Sequence, residues 1–177
     1  MAMEHHDRVL QYLEDGNNVD CIYLDFAKAY RNIGILSHKI KKMGFSGNLG
    51  VFLYNFLSGR DQAILANGVK SKLSQVRSGV PQETVLGPIL FLIKINDIDM
   101  NIESDISLFC DDTKVTKPVK EENDAEELQM DLYNLYLWQE EHNMLFNGTK
   151  FEILRYGQNK NLKHGTIYFT PGMKEVI

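Results

Sequence analysis

Two strand-forming runs that each end on aspartate constrain this chain more than any other feature. They are VDCIYLD at 19–25 and SLFCDD at 107–112. β-Branched and aromatic residues favour extended backbone on a half-buried sheet. Asp25 and Asp111 are therefore expected to project where the chain leaves a sheet, Asp25 before a helix and Asp111 at a hairpin tip. If the two strands are neighbours, the carboxylates converge. Two carboxylates, with further oxygens from water and substrate phosphates, suit Mg²⁺. A pair of such ions about 4 Å apart permits in-line displacement at phosphorus with no protein nucleophile. Taken alone, the same residues also suit a helix N-cap at Asp25 and ordinary turn positions at Asp111-Asp112.

The flanking pattern predicts mixed elements. Val9, Leu10 and Leu13 recur at helical spacing over 4–15, and Gly16 supplies the stop. Helices are expected over 35–43 and 49–57, and a hairpin over 62–76 turns at Asn67-Gly68. The run VLGPILFLIKIN at 85–96 reads as a helix with Pro88 in its first turn. Being apolar nearly all round, it is expected to be buried. A second hairpin joins 104–110 to 114–119 with Asp111-Asp112 as its turn. An amphipathic helix follows over 123–142, carrying Leu128, Leu132, Leu135 and Trp138 on one face, with Trp138 read as a packing residue. Strands are expected at 151–156 and 166–170. Helices and hairpins without regular βαβ alternation argue for an α+β fold rather than a doubly wound sheet.

Charge is segregated. The net value of -5 hides a stretch, 28–77, with nine Lys or Arg against Asp61 alone, a net of +8. It is balanced by 97–141, where fourteen acids face three lysines, a net of -11. Such blocks suit a basic surface for a phosphate backbone and an acidic zone for metal ions, or two solvated faces of an ordinary domain. The two cysteines, Cys21 and Cys110, lie in strand-like runs and read as buried, reduced thiols. His5 and His6 read as surface residues. No run has the length of a membrane span and no signal pattern opens the chain, so an intracellular address, nuclear or cytoplasmic, is expected.

Four stretches taken together resemble the palm motifs of reverse transcriptases from non-LTR retrotransposons of the jockey type. They are VDCIYLDFAKAY at 19–30, SGVPQETVLGPILFLIKINDI at 78–98, SLFCDDTKV at 107–115 and NMLFNGTKFEILRYG at 143–157. The resemblance covers nearly the whole chain, and GVPQ-x-x-VLGP is its most specific part. It implies a palm-type fold, a small antiparallel sheet with helices packed on one face, plus a partial fingers hairpin. It also implies RNA-directed DNA polymerase activity with two Mg²⁺ ions, an RNA template, a DNA primer and dNTP.

Residue by residue, the resemblance makes Asp25 a metal ligand, with the Phe26 carbonyl as an extra oxygen, and Asp111 the second ligand beside the acid Asp112. Tyr30 would pack on the sugar of the incoming nucleotide, Gln82 would contact its sugar-phosphate, and Lys150 would protonate or steady the departing pyrophosphate. Three departures stand out. Glu83 follows Gln82 where the family has glycine, which puts a negative side chain beside phosphates. The segment after Tyr30 is about two residues short, enough to turn a following helix by roughly 200°. Cys110 replaces the family's alanine. Residues 1–177 are thus expected to be a partial reverse transcriptase domain, palm with part of the fingers, lacking upstream fingers, primer grip and thumb. The alternative is a catalytically inactive retroelement remnant that at most binds nucleic acid.

Overall fold

The computed structural model describes residues 2–28, 33–76, 84–109, 112–157 and 168. Its elements run α1 (Ala2–Glu14), β1 (Asn18–Lys28), α2 (Ile33–Lys42), α3 (Gly47–Leu57), β2 (Asp61–Gln62), β3 (Leu65–Ala66), β4 (Val69–Lys70), β5 (Ser74–Gln75) and α4 (Leu86–Ile95). They continue with β6 (Asp105–Phe109), β7 (Asp112–Val119), α5 (Glu122–His142), β8 (Leu145–Phe146), a 3-10 turn (Gly148–Lys150) and β9 (Glu152–Tyr156). The chain forms two compact units, one of residues 1–27 with 98–177 and one of residues 28–97.

The first unit is built on β1. The sheet order is β6-β7-β1-β8, with β9 also paired to β1. The β1–β7, β6–β7 and β1–β9 ladders are antiparallel. β1 lies centrally because both parities of its sequence are apolar: Val19 and Cys21 are buried on one face, Ile22, Leu24 and Phe26 on the other. Two apolar faces require two covers. α1 rests on the odd-numbered face, where Val9 clusters with Val19 and Cys21. α5 serves the other, where Glu127 pairs with Lys117 at 2.8 Å and Trp138 lies 6.4 Å from the Phe26 ring. The expected one-face arrangement of helices is thereby refined, since α1 and α5 take opposite faces.

α5 begins where Asp124 accepts from the backbone N–H groups of Lys120 and Glu121, a carboxylate answering otherwise unpaired donors. It stops at Asn143, which takes the left-handed conformation (φ 53°). Its buried stripe is Ala125, Leu128, Asp131, Leu132, Leu135, Gln139 and His142. Trp138 sits beside that stripe, half-buried and stacked on His142 at 4.3 Å, which fits the packing role expected for it. The Asp131 carboxylate accepts from the N–H groups of Glu103 and Ser104 and from the Ser104 hydroxyl, and so pins the entry to β6. The Tyr168 hydroxyl donates to Asp20 at 2.6 Å.

Two expectations shift here. His5 is half-buried inside α1, its ring 4.0 Å from Cys21 Sγ and 3.5 Å from Thr116 Oγ1. Burial pushes the His5 pKa down and the Cys21 thiol up, so Cys21 is the buried, reduced thiol expected. The 104–119 hairpin turns one residue earlier than the pattern suggested. Phe109 pairs with Asp112, which makes Asp112 the first residue of β7 and leaves 110 and 111 between the paired positions.

The second unit has its own core of Leu36, Ile40, Leu53, Leu57 and Leu90, contributed by α2, α3 and α4. The expected hairpin is present as two short ladders, β2–β5 and β3–β4. Asn67 and Gly68 both have positive φ (52° and 77°), as a tight twisted hairpin turn demands. α4 is not buried all round: Leu90, Phe91, Lys94 and Ile95 are buried, whereas Ile89 and Leu92 are about half exposed. The strand expected at 166–170 lies outside the described residues apart from Tyr168. No described helix is long and apolar enough to cross a membrane.

Candidate active site

The end of β1 brings three of the expected residues together. Asp25 and Asp112 are direct cross-strand partners, and partners of this kind present their side chains on one face of the sheet, with Cβ atoms about 5 Å apart. Like charges so placed repel. The repulsion is answered by Lys150, whose Nζ lies 2.7 Å from Asp25 Oδ2. The Asp25 side chain is recessed, 13% exposed, and Lys150 reaches it from the surface with 63% of its own side chain exposed. Asp112 is exposed.

The placement of Lys150 follows from local sequence. In FNGTK the Asn147 side chain accepts from the Thr149 N–H at 3.2 Å and from its hydroxyl at 2.8 Å. This side-chain turn competes successfully with extended backbone. The Asn147 carbonyl accepts from Lys150 N–H at 2.9 Å, which closes the 3-10 turn. Asn147 N–H in turn donates to the Asp25 carbonyl at 2.6 Å. One residue earlier, Phe146 stacks on Phe26 with centroids 4.6 Å apart. Its N–H donates to the buried Gln139 side chain at 2.8 Å.

Asn147 and Gln139 therefore hold the frame of the site, and neither was among the expected site residues. Asn147 left a signal, an Asn-Gly pair. Gln139 left none, because a glutamine on an amphipathic helix usually faces water.

Phe26 is buried in the Phe146–Trp138 cluster with its ring away from the Asp25 face, which suits a role through its carbonyl alone. Tyr30, Gln82, Glu83, Cys110 and Asp111 lie outside the described residues. Among the described residues no group of three or more His, Cys, Asp or Glu side chains is arranged to hold a metal ion. The donors at this end of the sheet are carboxylate and carbonyl oxygens, the hard ligands that Mg²⁺ takes. The ammonium at Asp25 shows that a cation is accommodated there.

No protein-family profile matches the chain. It is 26% identical over 151 residues to the probable RNA-directed DNA polymerase from transposon X-element of Drosophila melanogaster, covering 81% of this chain and 17% of that protein. It is 29% identical over 153 residues to the RNA-directed DNA polymerase from mobile element jockey of the same organism, covering 80% of this chain and 16% of that protein. The chain spans about a sixth of the length of these curated relatives. In fold it is similar to apo telomerase from Candida Tropicalis truncated from its C-terminal domain. The TM-score is 0.62 at 13% identity, covering 90% of this chain and 36% of that one.

In sequence, then, the chain is similar to non-LTR retrotransposon reverse transcriptases. Its fold is α+β and palm-type, as the resemblance implied. Reverse transcriptases are metal-dependent as a class.

Proposed function

We propose that this chain is part of an RNA-directed DNA polymerase that transfers a deoxynucleotide to a primer 3'-hydroxyl on an RNA template. The observation that carries this reading is the cross-strand pairing of Asp25 with Asp112, with Lys150 on the Asp25 carboxylate. In this reading residues 1–27 and 98–177 are the palm, and 28–97 are part of the fingers. Asp25, Asp111, Asp112 and the Phe26 carbonyl would hold Mg²⁺. When bound, such ions supply charge stabilisation for the attacking and leaving oxygens at phosphorus.

The chain's own residues do the rest. Asp25 and Asp112 fix the direction from which positive charge reaches the reacting phosphate. Lys150, on a turn tied to Asp25, stands ready to donate a proton or a hydrogen bond to the leaving pyrophosphate. Tyr30 and Gln82 would hold the sugar and phosphate of the incoming nucleotide. The basic stretch 28–77 falls wholly in the second unit, where Lys41, Lys42, Lys70 and Lys72 are exposed. It supports a phosphate-facing surface for template and primer.

A second reading, a silent retroelement remnant, is favoured by Glu83 after Gln82 and by the short segment after Tyr30. Primer extension on an RNA template with Mg²⁺ separates the two. The polymerase reading predicts product from the intact chain and none from its Asp111→Asn variant. No product from a folded chain that binds the hybrid would leave the remnant reading in place.

A further inference from the structure

We propose that Lys150 is a tethered cation that competes with a divalent metal for Asp25, so that metal binding and release of the Lys150 ammonium are coupled. The inference rests on the reading of Asp25 as a metal ligand. Lys150 Nζ lies 2.7 Å from one carboxylate oxygen of Asp25, where its ammonium repels a divalent ion bound to the same carboxylate and draws on the same negative charge. The contact is not a chance meeting of two surface side chains. The turn carrying Lys150 is joined to the backbone of Asp25 itself through the Asn147 N–H to Asp25 carbonyl bond. The turn is closed by Asn147 through Thr149 and Lys150. Gln139 holds the preceding residue from the buried side of α5.

Carboxylate and ammonium are thus presented to one another by a common frame, which raises the local concentration of positive charge at Asp25. With no metal bound, Lys150 relieves the repulsion between the facing carboxylates Asp25 and Asp112. Lys150 yields the carboxylate when a divalent ion takes it, and its three N–H donors then become available to an anionic group beside the site. The residue that neutralises the metal-free site is in this way handed to the leaving phosphate only once the site is charged.

The test is a Mn²⁺ titration of the 177-residue chain without nucleic acid, following free Mn²⁺ by electron paramagnetic resonance, with circular dichroism to confirm folding. Lys150→Met is expected to bind Mn²⁺ about two- to fivefold tighter, the scale set by losing an exposed but well-placed competing cation. Lys150→Arg is expected to stay near the parent. Asn147→Ala keeps the charge but loosens the turn, and is expected to tighten binding about twofold. Asp25→Asn serves as the control for the site itself. Parent-like Mn²⁺ binding by Asp25→Asn overturns the metal-site reading, whatever Lys150 does. Loss of binding in Asp25→Asn combined with no gain in Lys150→Met overturns the competition alone, and an unchanged Asn147→Ala overturns the tether.

Discussion

Changing Asp25 to asparagine is expected to lower primer extension by at least about 10³-fold while leaving the fold intact. Asparagine has nearly the shape of aspartate but no charge. Phosphoryl transfer depends almost wholly on positioned charge, and removal of one fixed electrostatic group of that kind costs about 10²–10³-fold elsewhere. In the polymerase reading Asp25 would be a ligand shared by the whole metal arrangement, which belongs at or above the top of that range.

The stability effect is small for two reasons. The ion pair lost, Lys150 with Asp25, has an ammonium that is 63% exposed, so screening limits its contribution to under about 1 kcal/mol. The substitution also removes the repulsion between Asp25 and Asp112, which works the other way. Extension rates and a thermal melt on the same preparation check the prediction. An Asp25→Asn chain that keeps more than about a hundredth of the parent rate contradicts it, because contributions of this class are larger.

Lys94→Met is expected to stabilise the chain by about 3 kcal/mol at pH 7. Lys94 is fully buried on α4. Burial, with Lys39 nearby as a second positive charge, pushes its pKa down to about 8. Lys39 itself donates to the Lys94 carbonyl and to Asp97, each at 2.5 Å, and is held in place. A lysine whose pKa falls on folding opposes folding wherever the folded form must carry the proton, which is below about pH 8. Between about 8 and the ordinary value of 10.5 the unfolded chain holds a proton that the folded chain has released, so stability rises with pH across that window. The span between those values, at about 1.4 kcal/mol per unit, sets the figure of about 3 kcal/mol.

Methionine fills a similar volume without the charge. The gap between variant and parent is therefore expected to be full at pH 7 and to shrink by more than half by pH 10. Taking the difference cancels the tyrosines Tyr12 and Tyr23. Their pKa values, pushed up to about 12 chiefly by burial, cause losses common to both chains at high pH. Urea denaturation at the two pH values reads this directly. A Lys94→Met chain less stable than the parent at pH 7 would show that the buried ammonium is better served by its surroundings than burial alone allows.

Much of the fold was legible in the sequence because the relevant signals are local. Gly16, Asn67-Gly68 and the Leu128–Leu132–Leu135 stripe act within a turn or two of chain. What escaped depends on partners distant in sequence. The turn of the 104–119 hairpin moved by one residue because register is set by β6 and β1 together, through Phe109 with Asp112 and Asp25 with Asp112. α1 and α5 divided the faces of the sheet because β1 is apolar on both.

At the site, Asp25 and Lys150 could be nominated one at a time by resemblance. Their ion pair joins residues far apart in the chain through a frame built by Asn147 and Gln139, and no local pattern announces such a frame. The half-burial of His5 against Cys21 and Thr116 is of the same kind.

In the proposed reading the Asp25 end of β1 holds divalent metal. The most direct measurement is anomalous diffraction from crystals of the chain soaked in Mn²⁺. A peak is expected about 2.1 Å from an Asp25 carboxylate oxygen, with Lys150 Nζ withdrawn from that oxygen and an Asp112 or Asp111 carboxylate on the same ion. Saturating Mn²⁺ that leaves the Lys150–Asp25 pair in place, with anomalous signal only elsewhere, would contradict it.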